Sequence, residues 1–220
     1  MGSICGGTFL LAQTGLLDGR RATTHLLCAP DLAMMYPAVD VDVDALIIDD
    51  DDMITVGGVM AWTDLGLVIV ERLLGDDAMR ETARFMMIDL PNRQQRFYSV
   101  FSPRREHGDL AISKAQHQVH RRANSRYKVA DMAEWSGLEI RTFIRRFHAA
   151  TGLRPNEYYQ RMRIEDARKL LETTTETTAK VGWDVSYDDI ASFRTLFSRL
   201  TGLTPSDHRK RFRYSNANPL

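Results

Sequence analysis

Lysine is missing from the first 108 of the 220 residues, cysteine occurs twice in the whole chain, and no apolar run is long enough to cross a bilayer. The longest apolar stretches are Gly7 to Leu17, with Gln13 and Thr14 inside, and Val59 to Val70, with Asp64 inside. Both fall short of the ~20 residues a spanning helix needs, so no membrane segment is expected. The N-terminus lacks the basic stretch of a secretory signal. Cys5 and Cys28 make no disulfide framework, and the expectation is a cytoplasmic protein with free thiols. What is present suffices for a buried core: apolar residues make up 44% of the chain, enough for one large domain or two modest ones.

The net charge of zero conceals a division. Residues 1–108 carry 9 Arg against 16 Asp and Glu, a balance of −7, and residues 109–220 carry 20 Lys and Arg against 13 acids, a balance of +7. Cationic side chains gain affinity for a polyanion by displacing its counterions, so only the second part is suited to nucleic acid. Charge alone equally fits arginines that solvate helices.

The first part alternates strand and helix signals. Val39 to Asp44 has strict period two, Ala45 to Ile48 is apolar, and Asp49 to Asp52 reads as the turn of a hairpin that returns through Met53 to Val56. Gly57-Gly58 closes that strand. Trp62 to Leu74 has apolar residues at helical spacing with Gly75 as its stop, and a further helix is expected over Asp77 to Asp89. This alternation predicts an α/β layer over residues 1–90, followed by an Arg-rich connector at 91–108.

From Asp109 onward helical periodicity takes over, and the chain repeats itself when slid by 50 residues. Phe143, Phe147, Gly152, Leu153 and Pro155 recur as Phe193, Phe197, Gly202, Leu203 and Pro205. Ser136, Ile140 and Thr151 recur as Ser186, Ile190 and Thr201. Phenylalanines four apart share one helix face, and Gly then Pro ends the helix. A shorter helix precedes each, Val129 to Trp135 in one copy and Thr178 to Val185 in the other. Gly137 suits the tight bend between the helices, and small Ala133 lets them approach. Each copy is therefore a helix-turn-helix, at about 109–155 and 172–214, with a helix at 156–171 between them. The second part is expected to be an all-α domain over 109–214.

In such a unit the second helix enters the major groove and its exposed early residues meet base edges. These are Glu139, Arg141, Thr142, Arg145 and Arg146 in the first copy, and Ala191, Ser192, Arg194, Thr195 and Arg199 in the second. Arg141 and Arg145 lie on one face, and arginine grips guanine O6 and N7 with two hydrogen bonds. The second copy, less cationic, is suited to phosphate positioning and shape readout. The bland alternative pairs the arginines with surface acids.

The runs "GLEIRTFIRRFHAATGLRPNEYYQRMRIEDARKLLETT" and "SYDDIASFRTLFSRLTGLTPSDHRKRF" resemble the DNA-binding domain of the AraC/XylS family. The resemblance implies two helix-turn-helix units in successive major-groove segments of double-stranded DNA, with base-reading positions at Arg141, Thr142, Arg145, Ser192 and Thr195. Two positions depart from the family pattern: Gly182 stands where small Ala is usual, and Ser186 where Gly is usual.

Ser3-Ile4-Cys5-Gly6-Gly7 ahead of an apolar stretch has the form of a nucleophile elbow, a sharp strand-to-helix turn that presents a thiol, and His25 lies 20 residues on. The run "SICGGTFLLAQTGLLDGRRATTH" resembles the central segment of class I glutamine amidotransferase-like domains of the DJ-1/PfpI type, with a flavodoxin-like α/β fold, which precede the DNA-binding domain in a subgroup of AraC regulators. Cys5 and His25 fall on that domain's cysteine and histidine. Residues 1 to about 90 match only its second half, so the expected fold is a partial one. Its acidic partner to the cysteine has no counterpart, and Thr55-Val56-Gly57-Gly58 replaces the usual Thr-Ser-Ala-Gly. With the first strands of a parallel sheet lacking, the portion is expected to be poorly stable alone or to associate with another copy.

These readings converge on a transcription regulator whose first part serves in effector sensing or dimerisation, with an unidentified small molecule as effector. Enzyme activity is not expected, and Cys5 and His25 are taken as vestigial. The alternative is a cysteine-dependent hydrolase or glyoxalase-like enzyme built on that pair. No cofactor and no metal is expected: Asp49 to Asp52 reads as a solvated turn, and His117 with His120 as surface groups.

Overall fold

A computed structural model of the chain describes residues 1–91, 93–122 and 125–213. Two compact units divide it, Met1–Ser99 and Val100–Leu220. In the first unit β1 (Gly2–Ile4), α1 (Gly7–Gln13), β2 (Arg21–Ala22), α2 (Ala29–Met35), β3 (Asp40–Val41), β4 (Ile47–Asp50), β5 (Met53–Val56), α3 (Trp62–Leu74) and α4 (Asp76–Met86) follow in order. β5 is the middle strand of three, with β1 parallel on one side and β4 antiparallel on the other. All four of its residues are buried, as in a strand covered on both faces.

The expected hairpin is the β4–β5 pair, which turns at Asp51-Asp52 with Asp51 at φ +59, a left-handed conformation that Asp tolerates. The period-two run before it is not one strand. Asp40 and Val41 form a short parallel pair with β2, and then the Asp42 carboxylate accepts from the amides of Asp44 (3.0 Å) and Ala45 (3.2 Å). That side-chain turn takes the backbone out of the ladder where alternation alone would extend it. α3 ends at Gly75 as expected; α4 stops at Met86, short of Asp89, where Met87 turns to φ +52.

The expected connector at 91–108 is instead divided between the units. Arg93 reaches the buried carboxylate of Asp64, and Gln95, itself buried, inserts its carboxamide into the first unit. Phe101 belongs to the second unit, where its amide donates to Glu165 (3.3 Å) and its ring meets Tyr158 edge-on. Large apolar side chains left exposed in the first unit include Leu10, Met34, Leu73, Leu74, Phe85 and Met87.

The second unit contains α5 (Leu110–Arg121), α6 (Val129–Ser136), α7 (Ile140–Thr151), α8 (Pro155–Thr173), α9 (Thr178–Asp184), α10 (Ile190–Thr201) and α11 (Pro205–Phe212). The expected domain end at residue 214 lies outside the described residues. Two cores form. Phe143 and Phe147 of α7 pack with Ile112, Val119, Met132, Tyr158 and Met162; Phe193 and Phe197 of α10 pack with Ile164, Leu171, Val181 and Val185. α8 thus supplies Tyr158 and Met162 to one core and Ile164, Ala167 and Leu171 to the other, which makes it the strut the sequence predicts.

Candidate nucleic-acid interface

Each reading helix is defined at both ends. α7 and α10 close at Gly152 (φ +75) and Gly202 (φ +78), where a left-handed residue ends the helix without steric cost, and Pro155 and Pro205 open the helices that follow. Asp189 caps α10 by accepting from the amides of Ala191 (3.0 Å) and Ser192 (2.9 Å) and from the Ser192 hydroxyl (2.5 Å). The Ser192 contacts hold the Asp189 carboxyl below its usual range.

The two copies superpose with a step in register. Gly137 (φ +71) and Ser186 (φ +66) occupy the same left-handed turn position. Leu138 N donates to Ala133 O just as Tyr187 N donates to Gly182 O. The first helices and turns are therefore offset by 49 residues and the reading helices by 50, so the second turn is one residue longer. Ser186 matches Gly137, not Ser136 as the uniform slide suggests. Gly182 matches Ala133, and a Cβ there would lie 2.9 Å from Ile190 Cδ1 and 3.1 Å from Phe193 Cδ1. The second unit packs its helix pair more closely than alanine allows.

Arg141 and Arg145 of α7 and Arg194 and Thr195 of α10 are exposed on the side away from the buried phenylalanines. Among the described residues none of these four has an ion-pair or hydrogen-bond partner from another side chain. Thr142 is half-buried, and Ala191 is exposed. Ala191, Ser192, Thr195 and Arg199 line one shallow cavity with Gln160 of α8 and Tyr187 of the turn. Gln160 is a residue that sequence reasoning missed; its only signal was its place on the strut. Arg146 differs from its neighbours, because its guanidinium is held by Asp109 at 2.7 and 2.9 Å.

The elbow at Cys5 is present. Cys5 sits between β1 and α1 at φ +52, its amide bonded to Val56 O (2.8 Å) and its carbonyl to the Thr24 hydroxyl (2.8 Å). Among the described residues no hydrogen bond joins the Cys5 thiol to His25, whose Nδ1 accepts from Leu27 N (3.2 Å). Gln95 occupies the neighbouring space: its Nε2 donates to Thr24 O (2.7 Å), Ala45 O (3.0 Å) and Thr23 Oγ1 (3.0 Å), and its Oε1 accepts from Leu26 N (3.0 Å). It thereby clasps the backbone on both sides of His25. A Cβ on Gly57 would lie 2.2 Å from Gln95 Nε2, so glycine in place of the usual alanine is what admits this side chain. No group of three or more potential metal ligands is assembled among the described residues. No helix among them is long and apolar enough to cross a membrane.

Two helix-turn-helix units on one strut define a duplicated DNA-recognition domain. Comparison with known proteins gives two domain matches. Residues 132–211 match a helix-turn-helix domain model, and residues 1–72 match the DJ-1/PfpI family. The chain is 33% identical over 114 residues to the MmsAB operon regulatory protein of Pseudomonas aeruginosa, covering 52% of this chain and 37% of that protein. It is 26% identical over 216 residues to the HTH-type transcriptional regulator GlxA of Rhizobium meliloti, covering 96% of this chain and 65% of that one. A solved AraC-type transcriptional regulator from Chromobacterium violaceum aligns over 49% of this chain and 95% of its own, with a TM-score of 0.45 and 20% identity. The chain is thus similar to HTH-type transcriptional regulators, with a match to the DJ-1/PfpI family ahead of its helix-turn-helix match. It spans 37% and 65% of the length of the two curated relatives named.

Proposed function

We propose that this chain is a sequence-specific DNA-binding transcription regulator, acting in the cytoplasm, whose first unit serves in effector sensing or self-association and is not a catalyst. The observation that carries the reading is the contrast on α7. Arg146 is tied to Asp109, whereas Arg141 and Arg145, one turn apart on the exposed face, have no protein partner among the described residues. Unpaired guanidiniums beside buried phenylalanines are placed to meet guanine edges, each bidentate contact contributing ~1–3 kcal/mol of discrimination. Thr142, Ala191, Ser192, Arg194 and Thr195 complete the reading surface, with the second unit weighted toward phosphate and shape. α8, with 19 residues, is about 28 Å long at 1.5 Å per residue, a span comparable with one turn of duplex. The regulator names of the relatives support the same role for the whole protein.

The test is a binding-site selection with the wild-type chain, followed by mobility shifts on the selected duplex and a scrambled one. Arg141→Ala with Arg145→Ala should cut the ratio of the two affinities at least ~10-fold while the thermal melt is unchanged. An undiminished ratio overturns the assignment.

A further inference from the structure

One set of side chains in the second unit belongs to neither core alone. Trp135 of α6 meets Tyr127 at 5.1 Å between ring centroids, and Tyr127 lies against Tyr159 of α8 at 4.2 Å. The Arg163 guanidinium, one turn further along α8, sits 5.1 Å from the Tyr159 ring and 3.6 Å from the Tyr187 ring. Tyr187, in the turn of the second unit, stacks at 5.4 Å on Phe193, the anchor of α10. A continuous ladder therefore runs from the first helix-turn-helix, across the strut, to the second reading helix.

Arg163 is the rung at which the two units join. Its Nε donates to Val185 O (2.5 Å), at the end of the helix preceding the second turn, while its flat face covers Tyr187. A planar group that donates in its plane and stacks on its face fixes two directions at once, which an ammonium does not do. Two further contacts run alongside: Tyr159 Oη donates to Ser125 O (2.9 Å), and Arg126 pairs with Asp188 (2.7 Å) between the two units directly. A helical strut fixes the distance between two cores but leaves each unit free to rock about its own joint. The ladder supplies the lateral contact that opposes rocking.

We propose that Arg163 is a positioning residue that sets the phase between α7 and α10, so that the protein distinguishes duplexes by the separation of the two segments it contacts. This rests on the DNA-binding reading above. One inserted base pair moves the second segment by ~3.4 Å and turns it by about 35°. A braced pair of readers loses affinity on that change, and an unbraced pair follows the displaced segment.

The test uses the full chain and a duplex selected by the wild type, together with the same duplex carrying one base pair more or less between the contacted segments. The wild type should lose at least ~10-fold in affinity on either change. Arg163→Met should lose less than ~3-fold, while base substitutions within each segment still cost what they cost the wild type; this last readout is one that general destabilisation would not spare. Arg163→Lys, which keeps the charge and loses the plane, should behave as Arg163→Met and carries the test where the methionine variant fails to fold. Undiminished spacing discrimination in a folded Arg163 variant overturns the proposal. A second measurement needs no DNA: nitroxides at Glu134→Cys and Arg199→Cys, with Cys5→Ser and Cys28→Ser, report the distance between the units by pulsed electron paramagnetic resonance. The Arg163 variants should broaden that distribution, and an unchanged narrow one overturns the brace. A broadened distribution in a chain that binds no duplex sinks the DNA reading and leaves the brace standing.

Discussion

Asp109 and Arg146, 37 residues apart, meet through parallel hydrogen bonds of 2.7 and 2.9 Å, and the same carboxylate caps α5 through the amides of Ala111 (3.1 Å) and Ile112 (3.2 Å). One acid thus ties the start of the second unit to the back of its first reading helix. The guanidinium of Arg146 holds the Asp109 carboxyl below its usual value. Its contribution to stability is accordingly present above the unfolded value near pH ~3.9 and is lost as pH falls through the folded one. Asp109→Ala should cost about 1 kcal/mol through the cap alone. Asp109→Asn should flatten the acid limb of a stability–pH curve below pH ~4. Arg146→Ala should change the ratio of selected to scrambled affinity by less than ~2-fold; a loss as large as that of the Arg141 variant would make Arg146 a reader.

Two imidazoles, His120 half-buried and His208 enclosed, make the second unit sensitive to weaker acid. His120 Nε2 lies 2.8 Å from Tyr158 Oη, and burial, with Arg105 and His117 adding to it, pushes its pKa down to about 4. Burial also lowers His208, which lies 2.8 Å from Glu172 and is fully enclosed. Both favour the neutral form in the fold, so the unfolded chain takes up the proton first and stability is lost as pH falls below ~6.5. For His120 the window closes near pH 4. Unfolding free energies measured from pH 7 to 5 should fall, His120 contributing a slope that approaches ~1.4 kcal/mol per pH unit below its unfolded value. A flat profile in His120→Gln and in the wild type alike would refute this.

The Gly182 and Ser186 pair predicts opposite signs at neighbouring positions. Alanine at 182 gains ~1 kcal/mol of helix propensity but meets the enclosed Phe193 ring at 3.1 Å, and overpacking costs ~1–3 kcal/mol. Gly182→Ala should therefore destabilise by about 1 kcal/mol. Ser186→Gly should stabilise by a similar amount, because φ +66 strains a serine and not a glycine. Urea titrations of the two variants decide both.

Within the ladder the hydroxyls of Tyr127 and Tyr187 are buried without a hydrogen-bond partner among the described residues. Burial raises the pKa of both phenols. A buried unsatisfied hydroxyl is a cost that phenylalanine does not carry. Tyr127→Phe and Tyr187→Phe should be neutral or stabilising by up to ~1 kcal/mol and should leave spacing discrimination intact. Destabilisation beyond ~1 kcal/mol would show that the hydroxyls are satisfied.

In the first unit, Gln95→Ala and Gly57→Ala break the same contact from its two sides. Each should expose the Leu26 amide to faster hydrogen exchange, and the double variant should be no worse than the more severe single one, since interacting sites are not additive. Full additivity would mean that Gly57 and Gln95 act independently.

The two helix pairs and the strut of the second unit were legible because their apolar period, terminal glycines and duplication agree; the bounds of α3 were legible for the same reason. What escaped the sequence was set by tertiary contact. Nothing in the string around Gln95 distinguishes a carboxamide that plugs a fold from one in a solvated connector, and its role is legible only through the missing Cβ of Gly57. Asp42 misled because alternation records which residues favour a strand and not which side chains will capture the backbone. At the candidate interface Arg141, Arg145, Ala191, Ser192, Arg194 and Thr195 are exposed as expected and Thr142 and Arg146 only half so, and Arg146 and Arg145 are indistinguishable in sequence until Asp109 is brought across.

The extra residue in the second turn governs how this domain can be recombined. A chimera that trades α7 for α10 at the Ile140 and Ile190 junctions leaves each short helix with the bend it was built for, and the phenylalanine anchors fall into their own sockets. A cut that equates Gly137 with Ser186 instead carries each bend along with its own reading helix, and so lengthens or shortens the stretch between short helix and reading helix by one residue. Positions therefore have to be paired by counting backward from the reading helix on one side of the bend and forward from the short helix on the other.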